Sequence, residues 1–203
     1  GISDKNTIFC NERDKFIFYT SDRYGFNNND SLWDSSVDIV LMGDSFGHGA
    51  CVNSKDNISG NLNSSNFKTL NLSFSGNGPL KTLGSLIEYG NKIEAKNYIW
   101  LYFEGNDLLE LKKEEKNKIL EQYLQKNFSQ DLINKQTEIN EIHYKIIKEA
   151  IRDRVKTDNK TSLKKKIISF IKLYNLRISL GVDSPFSVDD HTLKVFENTI
   201  VRS

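Results

Sequence analysis

Three times within the first 110 residues an apolar run gives way to a small, polar turn, and this recurrence limits the fold more than any other feature. Val37-Asp38-Ile39-Val40-Leu41-Met42 enters Gly43-Asp44-Ser45-Phe46-Gly47-His48-Gly49, and Phe67-Lys68-Thr69-Leu70-Asn71-Leu72 enters Ser73-Phe74-Ser75-Gly76-Asn77-Gly78-Pro79. Tyr98-Ile99-Trp100-Leu101-Tyr102-Phe103 enters Glu104-Gly105-Asn106-Asp107. Short apolar runs bounded by turn residues read as buried strands. The stretches between them, roughly 50–62 and 80–95, are long enough for the crossover helices that parallel pairing requires. A βαβαβ start is expected, with all three turns at the sheet edge where open α/β sheets bind ligands.

Each turn residue has an ordinary and a chemical reading. Ser45, displayed after the first strand, is a candidate nucleophile, yet serine there is also a common helix N-cap. Gly76 and Gly78 suit a turn whatever its use. Asn106 stands where a helix starting near Leu108 needs a cap, and Asp44 reads as a brace for its turn or a cap.

Taken together, Gly43-Asp44-Ser45, then Gly76, then Asn106-Asp107, each after a strand, resemble the SGNH (GDSL-type) esterase and acyltransferase superfamily over about residues 37–110. The resemblance implies a flavodoxin-like three-layer α/β fold built on a parallel sheet. It also implies Ser45 as nucleophile on an acyl carbonyl, with an oxyanion hole formed by the Ser45 N–H, the Gly76 N–H and the Asn106 side chain. Removing one such donor typically costs about 2.7–4 kcal/mol of barrier. Asp44, His48, Asn77, Glu104 and Asp107 fall where the rim of that pocket would be. The substrate class implied is a small-molecule or carbohydrate acyl ester. The runner-up, from another class, is a non-catalytic flavodoxin-like binding or assembly module in which Ser45 is only a cap.

The chain departs from the family pattern in two places. The glycine two residues before the asparagine is replaced by Glu104 and moved to Gly105, and strand alternation would put Trp100, Tyr102 and Glu104 on one side. The larger departure is the missing Asp-x-x-His, since a serine hydroxyl needs an adjacent base. Of the three histidines, His191 has Val188 three places before it and reads as the start of a helix with Leu193, Phe196 and Ile200 on one face. His143 falls in a helical pattern with Ile139, Ile142 and Ile146. His48 follows Ser45 by three residues and reads as a pocket-rim or first-turn surface residue, with a backup base as the remote alternative. These observations predict a truncated polypeptide whose catalytic His and Asp lie beyond Ser203, and a start at Gly1 predicts a processed or engineered N-terminus.

The remainder is expected to divide into an N-terminal extension over 1–36, the α/β core over 37–110, and a helical region over 111–203. The extension contains strand-like 15–20 and a turn-rich stretch, and vaguely resembles those of SGNH-like proteins from bacterial polysaccharide loci. The helical region carries 3.6-residue spacing at 108–124, 139–151 and 163–174, with Ile178-Ser179-Leu180-Gly181-Val182 its one strand-like competitor. Its amphipathic helices read equally as a lid or as a packing subdomain. Lys and Arg number 28 against 27 acidic residues, so there is no general pull toward nucleic acid. The Lys164-Lys165-Lys166 run reads as a solvated helix edge.

No segment approaches the ~18 apolar residues of a spanning helix, and neither a phosphate-cradling loop nor a dinucleotide fingerprint is present, so no cofactor is expected. Cys10 and Cys51 have no metal spacing and are too few for a disulfide framework; Cys51 reads as a small buried hydrophobe in the helix after Ser45, leaving the compartment open. If nothing flanks the third strand, its free edge should recruit a second copy or a covering helix.

Overall fold

The fold is described from a computed structural model in which residues 1–12, 15–157 and 188–203 are described. The runs at 163–174, 164–166 and 178–182 singled out above lie outside them. The chain forms two compact units, Gly1–Asn140 with Val188–Ser203, and Glu141–Ser187. The first unit is mixed α/β around a small parallel sheet.

Strands β3 (Val37–Gly43), β4 (Thr69–Asn71) and β5 (Ala95–Leu101) pair in the order β4-β3-β5, both pairings parallel. β4 is shorter than the apolar run suggests, and β5 starts earlier and stops at Leu101. Alternation therefore does not carry through to Glu104, and Tyr102 and Phe103 belong to the loop. Val40, Met42, Leu70 and Leu72 on one face are buried with Leu86 and Tyr89, and with Phe26 from the N-terminal segment. Leu86 belongs to α3 (Pro79–Glu88). The other face meets α1 (Ser45–His48) and α2 (Ile58–Ser64), where Asn71 Nδ2 donates to Gly47 O at 2.7 Å and to Ser59 Oγ at 3.3 Å.

The sheet's two edges are treated differently. At β4, Asn63 accepts the Thr69 N–H (2.9 Å) and donates to Thr69 O (3.2 Å). Asn28 does the same at Asn71, at 2.8 and 3.0 Å. Two carboxamides thus occupy the backbone groups a further strand would need. Along β5, Tyr98 and Ile99 stay 47% and 37% exposed.

The N-terminal residues form a hairpin of β1 (Asn6–Glu12) and β2 (Lys15–Thr20). Asp22, buried beyond it, accepts the Tyr24 and Phe26 N–H groups, the Asn28 amide and the Trp33 indole, each at 2.8–2.9 Å. One expectation is corrected here. Cys51 is no buried hydrophobe inside a helix: α1 ends at His48, Cys51 sits in a turn at φ 61°, and it is disulfide-bonded to Cys10 across a Cα–Cα distance of 5.1 Å.

Helices α4 (Asp107–Glu114), α5 (Lys118–Gln122) and α7 (Asp190–Arg202) bury Leu111, Tyr123 and Val195 against Leu80, Leu83 and Ile87 of α3. On α7 the buried face is Thr192, Val195 and Thr199, whereas Leu193 and Ile200 are exposed. The expected face was wrong because the two threonines find partners, Thr192 on Glu115 and Thr199 on Val195 O. Phe196 meets Tyr102 at a ring separation of 5.0 Å, past the end of β5, without covering the strand. The remaining described helix, α6 (Gln136–Thr157), contains the boundary between the units, at Asn140.

Because the disulfide closes a loop of 41 residues, replacing both cysteines by serine should lower stability by about 3–4 kcal/mol. Urea unfolding of the oxidised protein and of the double variant measures this, and coincident midpoints would show that the bond holds nothing.

Candidate functional site

Since β3 lies between β4 and β5, the turn after it is flanked by the other two loops. Close contacts bind them together. The Phe74 N–H donates to Gly43 O at 3.1 Å, a Cβ on Gly47 would overlap Ser73 Oγ, and the Phe46 and Phe103 rings lie 4.8 Å apart. The three sequence motifs therefore meet at one edge.

Ser45 opens α1 without capping it. The cap is Asp44, whose Oδ1 accepts the Phe46 N–H at 2.9 Å. Ser45 Oγ has only a long contact, 3.5 Å, with Asp44 Oδ2, at the outer limit of a hydrogen bond. Asn106 occupies the N-cap position of α4, yet its side chain makes no capping bond, and its Oδ1 is buried without a partner. Gly76 sits third in a turn closed by Asn77 N–H to Phe74 O (3.0 Å). Its φ of 83° suits the third position of a type II turn, and the space where a Cβ would stand is open.

Beside Ser45 lies a hollow of about 390 Å³ walled by Phe46, Ala50, Val52, Asn57 and Ile58. A second hollow of about 500 Å³ is lined mostly by polar residues, Asn27, Asn28 and Asn63 among them, but those carboxamides are spent on Ser54, Asn71 and Thr69.

The rim expectation is corrected at Asp44, His48 and Asp107, each only 2% exposed. Asp107 lies beneath its loop, with Oδ2 accepting the Phe103 N–H at 2.8 Å and its own N–H donating to Phe103 O at 3.0 Å. Burial, then the neighbouring charges of Asp44, Glu114 and Glu110, push its carboxyl up to about 6. His48 is turned into an aromatic cage, with ring separations of 4.2 Å to Phe9 and 4.8 Å to Phe74. Burial, helped by the Gly1 ammonium, pushes its imidazole down to about 4. Asn77 is also buried, at 8%, while Glu104 is exposed.

His191, on the first turn of α7, has Nδ1 3.4 Å from Glu115, and His143 is half-buried on α6. Among the described residues no imidazole is hydrogen-bonded to Ser45. No group of three or more His, Cys, Asp or Glu among them is arranged to hold a metal.

Sequence reasoning missed Glu114 altogether. Its buried carboxylate accepts the Gly78 and Leu80 N–H groups at 2.7 and 2.9 Å, capping α3 from a different helix. Burial nevertheless leaves its carboxyl raised. Beside it, Lys81 Nζ donates to Gly76 O at 2.9 Å and so ties down the glycine turn. No local signal marks such a residue, because Glu114 lies in a run of lysines and glutamates that reads as a solvated face.

Asp107 and His48 pull stability in opposite directions over one pH window. A carboxyl raised on folding loses stability as pH rises toward about 6, and an imidazole depressed on folding loses it as pH falls toward about 4. Relative to wild type, Asp107→Asn should therefore gain stability as pH rises from 4 to 6, and His48→Phe should gain as pH falls through the same interval. Urea midpoints across pH for the three proteins test this; parallel curves would remove both assignments.

Comparison with known proteins finds no matching family model, no matching curated protein and no matching solved structure.

Proposed function

We propose that the loop cluster is an acyl-ester site of the SGNH kind, in which Ser45 attacks an acyl carbonyl and the group passes to water or to a sugar hydroxyl. One observation carries this reading: the structural duties that would explain Ser45 and Asn106 are unfilled by them. Asp44 does the capping at Ser45's turn, and Asn106 leaves its carboxamide unbonded at a cap position. Gly76, with open space over its α-carbon, supplies the remaining donor type. Together these are the parts that tetrahedral-intermediate chemistry uses. The hollow beside Ser45, walled largely by apolar side chains, suits a short acyl group.

The reading needs a general base, and no imidazole among the described residues is hydrogen-bonded to Ser45. The lack of one on Ser45 is what favours the second reading, a binding module of the same α/β type. The Cys10–Cys51 bond supports work in an oxidising compartment, where disulfides persist.

Turnover of p-nitrophenyl acetate with and without added imidazole tests the proposal. Ser45→Ala should abolish the protein-dependent rate, and imidazole should raise the rate of the wild type but not of that variant. Asn106→Ala should lower it about 10²-fold or more. A rate indifferent to Ser45 under both conditions would leave the binding module.

A further inference from the structure

We infer that His48 is a positioning residue that locks the Ser75–Gly76 turn onto the helix carrying Ser45. It rests on the reading of Gly76 as an oxyanion donor. The imidazole belongs to α1, three residues beyond Ser45, yet its hydrogen bonds go to the loop after β4. The Ser75 N–H donates to Nδ1 at 3.1 Å, and Ser75 Oγ lies 3.1 Å from the same nitrogen. A nitrogen that accepts a backbone N–H carries no proton, so the neutral ring holds its proton on Nε2.

That Nε2 is buried and has no hydrogen-bond partner. Phe9 and Tyr19 from the hairpin and Phe74 from the loop surround the ring. A phenyl ring would fill this cage without an orphaned donor. What the imidazole adds is the acceptor at Nδ1, and the acceptor serves the residue next to Gly76. Lys81 holds the carbonyl of Gly76, so the turn is fixed from both sides. The cage is in turn held over α1 by the Cys10–Cys51 bond, which joins the hairpin to the chain three residues past His48.

The groups facing the imidazole that carry or can carry charge are the Tyr19 phenol on β2 and the Gly1 ammonium. Neither offers a carboxylate that would favour the protonated ring. The lock therefore stays engaged through the neutral range.

Nitrogen-15 NMR of the wild-type imidazole should give the Nε2–H tautomer, unchanged between pH 5 and 8; an Nδ1–H tautomer or a charged ring in that range overturns the inference. His48→Phe keeps the ring and removes the acceptor. Its Ser75 and Gly76 amides should exchange about 5- to 10-fold faster, with the β3 amides unchanged, and exchange at wild-type rates in the folded variant overturns it equally. Neither readout depends on a reactive Ser45, so failure of the esterase reading is seen separately in the acetate assay. Where that assay does find Ser45-dependent turnover, His48→Phe should lower kcat about 10²-fold with little change in KM. An unchanged kcat would show that the lock does not serve the chemistry.

Discussion

Parallel pairing of β3 with a neighbour on each side is the constraint from which the site follows. It sends three chain segments out of the sheet at the same end, and the turns that leave there carry residues 45, 76 and 106. The β3–β4 ladder is short, since β4 spans only Thr69–Asn71, whereas β3 and β5 pair from Val37 with Ala95 to Gly43 with Leu101. Backbone pairing over three residues does not hold loops in register unaided. Side chains do the remaining work: Asn71 on Gly47 O, His48 on the Ser75 N–H, and Asp107 on the Phe103 N–H. Each reaches from one loop or element to the backbone of another, or back across its own loop.

These clasps are buried polar groups, and they carry the liabilities of such groups. A buried donor or acceptor left unmatched costs about 1–3 kcal/mol, and the orphaned atoms among the described residues include His48 Nε2, Asn106 Oδ1 and Asp107 Oδ1. All three lie in the loop cluster. Ser73 Oγ in the same cluster is a fourth, and Asn57 Nδ2, Gln136 Oε1 and Arg202 Nε lie elsewhere. Protein interiors otherwise satisfy their polar atoms almost completely.

The three strands and the convergence of their turns were legible in the sequence, because apolar runs and turn residues are local signals; the order β4-β3-β5 was not. The residues at 45, 76 and 106 were singled out by resemblance to a family pattern and not by those local signals. What could not be read is whatever depends on distant partners. Nothing near Cys51 announces Cys10, nothing near Glu114 announces the N-terminus of α3, and nothing in Gly47-His48-Gly49 says that the ring turns inward to Ser75. The end of β5 was misjudged because Tyr102 and Phe103 continue the apolar run into the loop, where Phe103 meets Phe46 instead of the sheet. On α7, of the expected face of Leu193, Phe196 and Ile200 only Phe196 packs against the core, and Thr192, Val195 and Thr199 are the buried residues.

The asparagines at the β4 edge make the sheet directional. Asn28 and Asn63 use both ends of their carboxamides on Asn71 and Thr69, acting as end-stops that a further strand would have to displace. Growth of the sheet is therefore open on the β5 side alone. Any strand joining there would turn the loop carrying Asn106 from an outer loop into an inner one, with a neighbour on each flank. The loop carrying Gly76 would remain terminal. The two oxyanion candidates, each on a loop after a strand next to β3, would thus come to differ in how far partners can confine them.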